Sequence, residues 1–412
     1  MSTATSTQNT RHRRRFLGAL SGLTLIAAAP AAPAAVTWND VQFGGFVSQG
    51  YLINSGNNDY LGDTSEGTFD FREYALNASW SSGKFRVGAQ GFGQKLGEYG
   101  DDRITLDWAI VDYQATQGFG VRAGRVKMPR GLYNEALDVD SVRPFVLLPQ
   151  SVYDARLRDF NAAFNGGMVY GNITAGRAGS FDYRLFYGEI PMRSDSGASV
   201  YFNNDLPSPI FDIGMDSVVG GSVFWNTAVN GLRFGYSYSG FENFNVDRGV
   251  TYGPMQLMVK KTAPKHHRHL ISAEYLSGDW VFAAEVGTED SNSRIEVVSM
   301  ALTSRYEFES RYGYLSAARR INSRVELGAY VSHSRDEGQL IPAAAGIDVP
   351  VLEQTDFALS TRIDVNEHLI VKVEGHYIDG AGKIFDTPTH PQPFANRDDS
   401  WFLFAAKATL SF

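Results

Sequence analysis

The sequence predicts an all-β protein: a transmembrane antiparallel β-barrel of about sixteen strands, with short turns at one rim and long loops at the other. Three observations predict this fold class. Polar and apolar residues alternate along many short segments between residues 41 and 412, as they do in strands with two different faces. The connections between these segments are alternately short and long. The last segment ends in an aromatic residue, Phe412.

The composition favours strands and argues against other classes of protein. The 412 residues include 42 Gly, 27 Phe and 20 Tyr, a combination that suits short strands and tight turns. A formal net charge of −8 argues against a nucleic-acid partner. The sequence contains no cysteine, which excludes disulfides and thiolate metal sites, and it indicates no cofactor.

Residues 1–35 have the pattern of a signal peptide that is cleaved during export. Four arginines precede the apolar run Phe16–Ala29, and small residues then predict cleavage near Ala34 or Ala35. The arginine run also fits a twin-arginine signal, so the export route stays open. The barrel is therefore predicted to occupy residues 36–412.

The alternation is clear in individual segments of the predicted barrel. Apolar side chains recur at Leu232, Phe234, Tyr236 and Tyr238, and the residues between them are Arg, Gly or Ser. A period of two places each set on one side of a sheet. Charged residues on the polar faces are expected to point into the barrel: Arg86, Asp107, Arg184, Arg233, Glu285, Glu326, Asp356, Arg362, Lys372 and Glu374.

The lengths of the connections separate the two rims. Short turns are predicted at Ser81–Gly83, Thr116–Phe119, Ala175–Gly179, Asn230–Gly231, Ser277–Asp279, Asn322–Ser323 and Asn366–Glu367. Long connections are predicted at residues 54–67, 97–103, 128–162, 190–217, 244–267, 290–309, 337–354 and 379–399. Together they join sixteen strands, with both chain ends on the short-turn side. This asymmetry is typical of outer-membrane barrels, which have short periplasmic turns and long external loops. A soluble β-sandwich has no reason to separate loop lengths in this way.

The C-terminal segment resembles the insertion signal shared by outer-membrane barrels. From Trp401 to Phe412 the apolar residues fall on one face, and the chain stops at Phe412. By this resemblance, the barrel-insertion signal comprises Phe402, Phe404, Leu410 and Phe412. Lipid cannot satisfy the free edge of a strand, so a sheet that spans a membrane must close into a barrel. Aromatic residues near strand ends are expected at the membrane interfaces: Tyr51, Trp80, Trp108, Trp225, Tyr238, Trp280 and Trp401.

The connection at residues 128–162 is the most informative segment for function. It is rich in proline and mixed in charge, and loops of this length are usually functional. It follows the fifth predicted strand. In this layout, and in the segment Gly124–Gly131, the chain resembles the trimeric sixteen-stranded porins of Gram-negative bacteria, including the phosphate-selective type. The resemblance implies that residues 128–162 fold into the lumen and constrict it. It also implies a homotrimer.

The same resemblance identifies candidate residues for the pore constriction. The candidates on the basic side are Arg125, Lys127, Arg130, Arg143, Arg156 and Arg158. The candidates on the acidic side are Glu135, Asp138, Asp140, Asp154 and Asp159. A field between opposed charges favours small polar solutes over apolar ones. Because the two sets nearly balance, the sequence indicates at most a mild preference for anions or phosphate. The alternative interpretation is a solvated external loop whose ion pairs have no role in transport.

The function predicted from the sequence is passive diffusion of small hydrophilic solutes or ions across the outer membrane, without enzymatic activity. The expected partners are outer-membrane lipids and lipopolysaccharide, the barrel-assembly machinery, and small hydrophilic solutes or anions. Two alternatives stay open. A barrel enzyme of the lipase or protease type is suggested only by Ser332–Ser334, and a structural or adhesion barrel would have a blocked lumen. The histidine-rich run Lys260–His269 is more typical of a basic loop than of a metal site, because adjacent histidines in a strand point in opposite directions.

Overall fold

Sixteen antiparallel strands form one closed sheet in the computed structural model, which describes residues 36–38, 40–202, 209–252, 254–341, 349–384 and 396–412. The predicted signal peptide, residues 1–35, lies outside the described residues. The barrel strands are β1 (Val41–Asn54), β2 (Phe71–Ser82), β3 (Phe85–Leu96), β4 (Thr105–Thr116), β5 (Phe119–Lys127), β6 (Ala163–Thr174), β7 (Ser180–Glu189), β8 (Ser217–Asn226), β9 (Leu232–Tyr252), β10 (Met255–Ser277), β11 (Trp280–Val297), β12 (Leu302–Arg320), β13 (Val325–Ile341), β14 (Leu352–Asp364), β15 (Leu369–Gly380) and β16 (Ser400–Ser411).

Each strand pairs with its neighbours in sequence, and β16 pairs with β1 to close the barrel. The closing register runs from Leu403 opposite Asn54 to Ser411 opposite Phe46. Two shorter strands add to this sheet: Val36–Trp38 pairs with β1, and Ile210–Gly214 pairs with β9. The predicted fold class, an antiparallel barrel of about sixteen strands, is confirmed.

The connections fall into two groups, as predicted, but the external strands are longer than predicted. All seven short turns lie at one rim, at residues 83–84, 117–118, 175–179, 227–231, 278–279, 321–324 and 365–368. Two of the predicted long loops, 244–267 and 290–309, are wrong, because β9 to β12 continue through most of both segments. Backbone pairing persists there, for example with Asn245 opposite Thr262. Beyond the membrane the outer face of a strand need not be apolar, so the apolar outer face ends before the strand does.

The two faces of the barrel wall have opposite character. On β14, Leu359 points outward and is 72% exposed, while the adjacent Ser360 points inward and is 4% exposed. Apolar side chains exposed on the outer surface suit contact with lipid, and inward polar side chains suit an aqueous or hydrogen-bonded interior. Trp80, Trp225 and Trp280 lie outward near the short-turn rim, as an interfacial girdle requires. The expectation for Trp401 is wrong: it points inward, is 2% exposed and packs edge-on against Tyr60.

Several connecting segments occupy the interior of the barrel. Residues 128–162 include the short helix α1 (Arg158–Asn161), and the external connection after β7 includes α2 (Gly197–Phe202). Their apolar residues pack against inward-facing wall residues, forming buried clusters inside the barrel. No helix among the described residues is long and apolar enough to cross a membrane.

Candidate functional site

The segment 128–162 lies inside the barrel and is fixed to the wall at several points. The backbone N–H of Leu132 donates to Glu285 on β11, at 3.0 Å. On β14, the Ser360 hydroxyl donates to the Pro144 carbonyl, at 2.8 Å. These contacts lie on different parts of the wall, so the segment extends across the lumen.

Glu285 is an anchor that has no basic partner among the described residues. Its buried carboxylate accepts hydrogen bonds from Ser272 Oγ at 2.5 Å, Tyr153 Oη at 2.5 Å and Tyr314 Oη at 2.9 Å, besides the N–H of Leu132. Burying a carboxylate costs free energy unless it is hydrogen-bonded, and four donors bond to this one. Tyr153 belongs to the inward segment, so this cluster joins the segment to β10, β11 and β12.

A second anchor consists of three buried ionisable residues on β14 and β15. His376 places Nδ1 3.0 Å from Asp356 and Nε2 3.0 Å from Glu374. Glu374 also accepts the backbone N–H groups of Val146 and Leu147, at 2.9 and 3.0 Å. Only the doubly protonated imidazolium can donate to both carboxylates, so the arrangement favours a charged histidine.

Asp140 is the third anchor and the most strongly ionic one. Its carboxylate lies 3.0 Å from Lys372 Nζ and 3.4 Å from Lys407 Nζ, and it accepts a hydrogen bond from Thr409 Oγ1 at 3.0 Å. Burial opposes ionisation of Asp140, but the ammonium groups of Lys372 and Lys407, with the guanidinium of Arg143, hold its pKa below the ordinary range. The carboxylate is therefore charged and holds the inward segment to β15 and β16.

The candidates next to β4 form a network around Asp107. Lys127 contacts Asp107 at 2.9 Å and also pairs with Asp138, which accepts from Gln90. Arg158 donates to Asp107 at 2.8 Å, and its guanidinium carbon lies 3.6 Å from the centroid of a phenyl ring on β3. These side chains are largely buried, so they serve first to hold the segment against the wall.

The remaining candidates have separate positions. Arg130 is buried and donates to the Val152 carbonyl at 2.8 Å. Arg156 pairs with Asp154 at 2.7 Å. Burial opposes ionisation of Asp154 as well, but Arg156 and Lys383 hold its pKa below the usual range. Arg125 donates to a backbone carbonyl at 3.0 Å, and Asp159 accepts the N–H of Gly197 at 3.1 Å.

The two predicted charge rows are not arranged as separate opposed faces. Lys127 pairs with Asp138, Arg143 lies 3.8 Å from Asp140, and Arg156 pairs with Asp154, so several bases and acids neutralise each other within the segment. Glu135 differs from these, because it is only half-buried and lies 3.4 Å from Arg184 on the β7 wall. Alternation predicted the inward direction of the wall charges, including Arg184. It gave no information on which loop residue each one contacts.

Two cavities inside the barrel lie beside β3 to β8. A cavity of about 550 Å³ near the short-turn rim is lined by Arg122, Arg184 and Asp182, together with amide and hydroxyl groups. A cavity of about 230 Å³ on the long-loop side is lined by residues that include Arg125 and Arg158. The inward-facing Lys372 and Glu374 on β15, by contrast, are almost completely covered. Both of these cavities therefore border the wall from β3 to β8 and not the covered wall at β15.

Two local arrangements bear on enzymatic and metal chemistry. Ser332 and Ser334 point inward on β13, while His333 lies on the exposed outer face, so this triplet does not form a nucleophile and base pair. On the outer face of β10, His267 and His269 bond to tyrosine hydroxyls of β9. Among the described residues, no group of three or more His, Cys, Asp or Glu side chains is placed to hold a metal ion.

Solved structures of outer-membrane proteins share this architecture. OmpF of Salmonella typhi, solved in complex with daunomycin, is similar with a TM-score of 0.55 and 10% identity, covering 91% of this chain and 99% of that chain. The outer membrane channel DcaP of Acinetobacter baumannii has a TM-score of 0.53 and 12% identity, with coverages of 92% and 100%. A loop-deletion mutant of OmpT, an outer membrane protein of Vibrio cholerae, has a TM-score of 0.53 and 13% identity, with coverages of 90% and 99%.

The chain has the fold of the outer-membrane porins. The sequence itself matches no family model and no curated protein. At these identities the likeness concerns the course of the backbone and not the residues that line the lumen, which differ from protein to protein.

Proposed function

We propose that this protein is an outer-membrane porin through which small hydrophilic solutes or ions diffuse passively. The observation that carries the proposal is the hydrophilic cavity of about 550 Å³ inside a closed sixteen-stranded barrel whose outer surface is apolar. A barrel of this strand number is too wide for its own wall side chains to fill. Charged and amide groups around the cavity favour water and polar solutes over apolar ones.

In this proposal, residues 128–162 form the constriction and leave the passage beside β3 to β9. The support is the difference between the two walls, since Lys372 and Glu374 on β15 are covered, whereas Arg122 and Arg184 line the open cavity. The ion pair of Glu135 on the segment and Arg184 on the wall, 3.4 Å apart, would then form one border of the narrow part. Most other charges of the segment pair with an opposite charge on the segment or on the wall, so they would contribute little net field and any preference for anions or phosphate would be mild.

The cellular setting belongs to the same proposal. Residues 1–35 would direct export and be cleaved near Ala34 or Ala35, and the barrel would sit in the outer membrane of a Gram-negative bacterium with lipopolysaccharide around it. The assembly machinery would read the outward apolar residues Phe402, Phe404, Leu410 and Phe412, which are all exposed on the last strand or just after it. A homotrimer is supported by OmpT of Vibrio cholerae, solved in a trimer form, with a TM-score of 0.51 and 13% identity.

Planar-bilayer recording of the purified mature protein tests the proposal. We expect stepwise conductance in potassium chloride, with steps in threes if the protein is a trimer, and a small reversal potential in asymmetric salt with the sign of a mild preference for anions. Heat-denatured protein in the same detergent is the control for leakage. A folded protein that inserts without conductance would contradict the pore and favour a structural barrel. Hydrolysis of the bilayer lipid or of a protein substrate would instead favour the enzyme alternative.

A further inference from the structure

Most wall arginines near the short-turn rim are neutralised by a specific carboxylate. Arg233 pairs with Glu274 at 2.7 Å, and Arg320 pairs with Asp364 at 2.5 Å. Each pair has no net charge, so its effect on a passing ion falls off quickly with distance.

Arg86 is different, because the carboxylate opposite it is already engaged. Arg86 on β3, Asp112 on β4 and Arg122 on β5 are in direct cross-strand register. Asp112 accepts from Arg122 Nε at 2.6 Å through one oxygen, and from Tyr170 Oη at 2.5 Å through the other. Within the described residues, the guanidinium of Arg86 forms no hydrogen bond or ion pair. Two guanidinium groups thus share one carboxylate, which leaves one surplus positive charge.

The surplus charge of this triad lies beside a cavity that also contains the carboxylate of Asp182, which accepts from the amides of Asn172 and Asn226 at 2.7 Å each. Arg122 lines the cavity of about 550 Å³, together with the amides of Gln114 and Asn172. Arg86 is half-buried and occupies the neighbouring inward position on β3. A partly desolvated guanidinium offers several N–H donors in a fixed fork, which matches the two oxygens of a carboxylate or phosphate. Walls of low dielectric constant strengthen the attraction.

We propose that Arg86 and Arg122 form an oxyanion-binding site at the short-turn mouth of the lumen. The ligand class is a small solute that bears a carboxylate or phosphate group. This inference rests on the proposed porin function and goes beyond it by naming the residues that would give the pore its anion preference. The amide of Gln114, which also lines the cavity, provides a further donor for the solvent-exposed part of the solute.

Reversal potentials and competition experiments on Arg86→Gln test the proposal. We expect the chloride-to-potassium permeability ratio to fall roughly twofold to threefold, because one unit charge beside the passage is removed. In the wild type, phosphate or succinate added on the short-turn side should reduce the chloride current at millimolar concentration. This competition should be lost in Arg86→Gln. The phosphate and succinate arms distinguish a phosphate site from a carboxylate site.

Two further variants separate charge from geometry. Lys84→Gln removes the same charge from the adjacent turn, where Lys84 is exposed and donates to the Ala115 carbonyl. We expect it to keep the competition by oxyanions. Arg86→Lys keeps the charge and loses the fork, so it should keep the permeability ratio and weaken the competition. A compact, heat-modifiable band in gel electrophoresis checks that each variant is folded.

The outcomes separate this inference from the porin function. A wild-type pore that conducts but shows no competition by phosphate or succinate would overturn the oxyanion site and leave the pore intact. Equal loss of competition in Arg86→Gln and Lys84→Gln would also overturn it, because a diffuse field would then suffice. A folded wild-type protein without any conductance would instead contradict the porin function itself.

Discussion

Asp140 is the residue on which the docking of the inward segment depends most directly. Its carboxylate lies between Lys372 and Lys407, both of which are buried. Removing one partner from a buried ionic cluster leaves uncompensated charge, which costs about 3–5 kcal/mol. We therefore expect Asp140→Asn to loosen residues 128–162, detected as faster cleavage of this segment by protease in detergent. Asp195→Asn, at an exposed carboxylate that pairs with Arg193, is the control and should leave cleavage unchanged.

The pH dependence of this anchor has a definite sign. Burial alone would raise the pKa of Asp140, but the neighbouring cations lower it below the ordinary value of about 3.9. The stabilisation is then fully present above the ordinary pKa and is lost only as the pH falls through the lowered pKa. We expect the segment to stay protected from protease in wild type from pH 7 down to about pH 4. Release of the segment at about pH 5 would mean that another group controls the docking.

Gly45 is required at the seam where the barrel closes. The backbone groups of Gly45 and Phe412 exchange two hydrogen bonds, at 3.1 and 3.0 Å. A Cβ at Gly45 would lie 2.6 Å from the Ala75 carbonyl and 2.7 Å from the Phe412 ring. Overpacking of this kind costs about 1–3 kcal/mol. We expect Gly45→Val to lower the thermal unfolding temperature in detergent. Gly375→Val is the matched control, because no atom lies within 4 Å of a Cβ there, and it should unfold as the wild type does.

At the scale of strands and turns, the sequence predicts the membrane-spanning part of each strand, because the outer face must be apolar there. It misses the external part of the strands, where backbone pairing continues without that requirement. Between the two membrane interfaces each strand needs an apolar outer face, so alternation marks its position. At residues 244–262 the outer face carries polar residues such as Asp247 and Lys260, and the inner face is apolar and buried at Phe244 and Val246, so the alternation is reversed. Hydrogen bonding between the two strands continues there, as the pairing of Val246 with Lys261 shows. The apolar outer face that marks a membrane-spanning strand therefore ends before the strands do.

Amide hydrogen exchange tests this extension of the hairpin. Asn245, Val246 and Asp247 lie between two paired strands, β10 and Ile210–Gly214. We expect their amides to exchange orders of magnitude more slowly than those of residues 191–195, which lie in an external connection outside any strand. Mass spectrometry of peptides from the folded protein in detergent would measure both. Equal exchange in the two regions would show that the external hairpin opens frequently or is not formed in solution.

The candidate site was predictable in outline and not in its contacts. The length and proline content of residues 128–162 mark them as a functional loop, and alternation places Glu285 and Glu374 inward. Contacts such as that of Glu374 with Val146 join residues 228 positions apart in the sequence. They depend on how the loop folds within the lumen, which no local pattern records. Neutralisation of Lys127 by Asp138 and Asp107 depends on the same folding, so the predicted separation into basic and acidic faces could not be checked from spacing alone.

At the scale of the whole molecule, the interior is asymmetric. Residues 144–151 cover the wall formed by β13 to β15 through hydrogen bonds to Ser360, Glu374 and Ser332, whereas the wall around Arg122 borders open space. A conducting path in this barrel is therefore expected to run along the uncovered wall. Its cross-section depends on how much of the lumen the inward segment occupies.

Replacing Pro144–Ser151 by a Gly-Ser linker of equal length tests this dependence. The linker cannot reproduce the apolar packing of this segment, so the covered wall should become accessible to water while the Asp140 anchor stays in place. We expect the single-channel conductance to rise roughly twofold or more, because conductance through a wide aqueous pore follows its open area. A Gly-Ser replacement of Val298–Ala301, which form the external turn between β11 and β12, is the control and should leave the conductance unchanged. An unchanged conductance in a folded Pro144–Ser151 variant would show that the narrowest part of the path lies elsewhere, with the contact of Glu135 and Arg184 as the next position to examine.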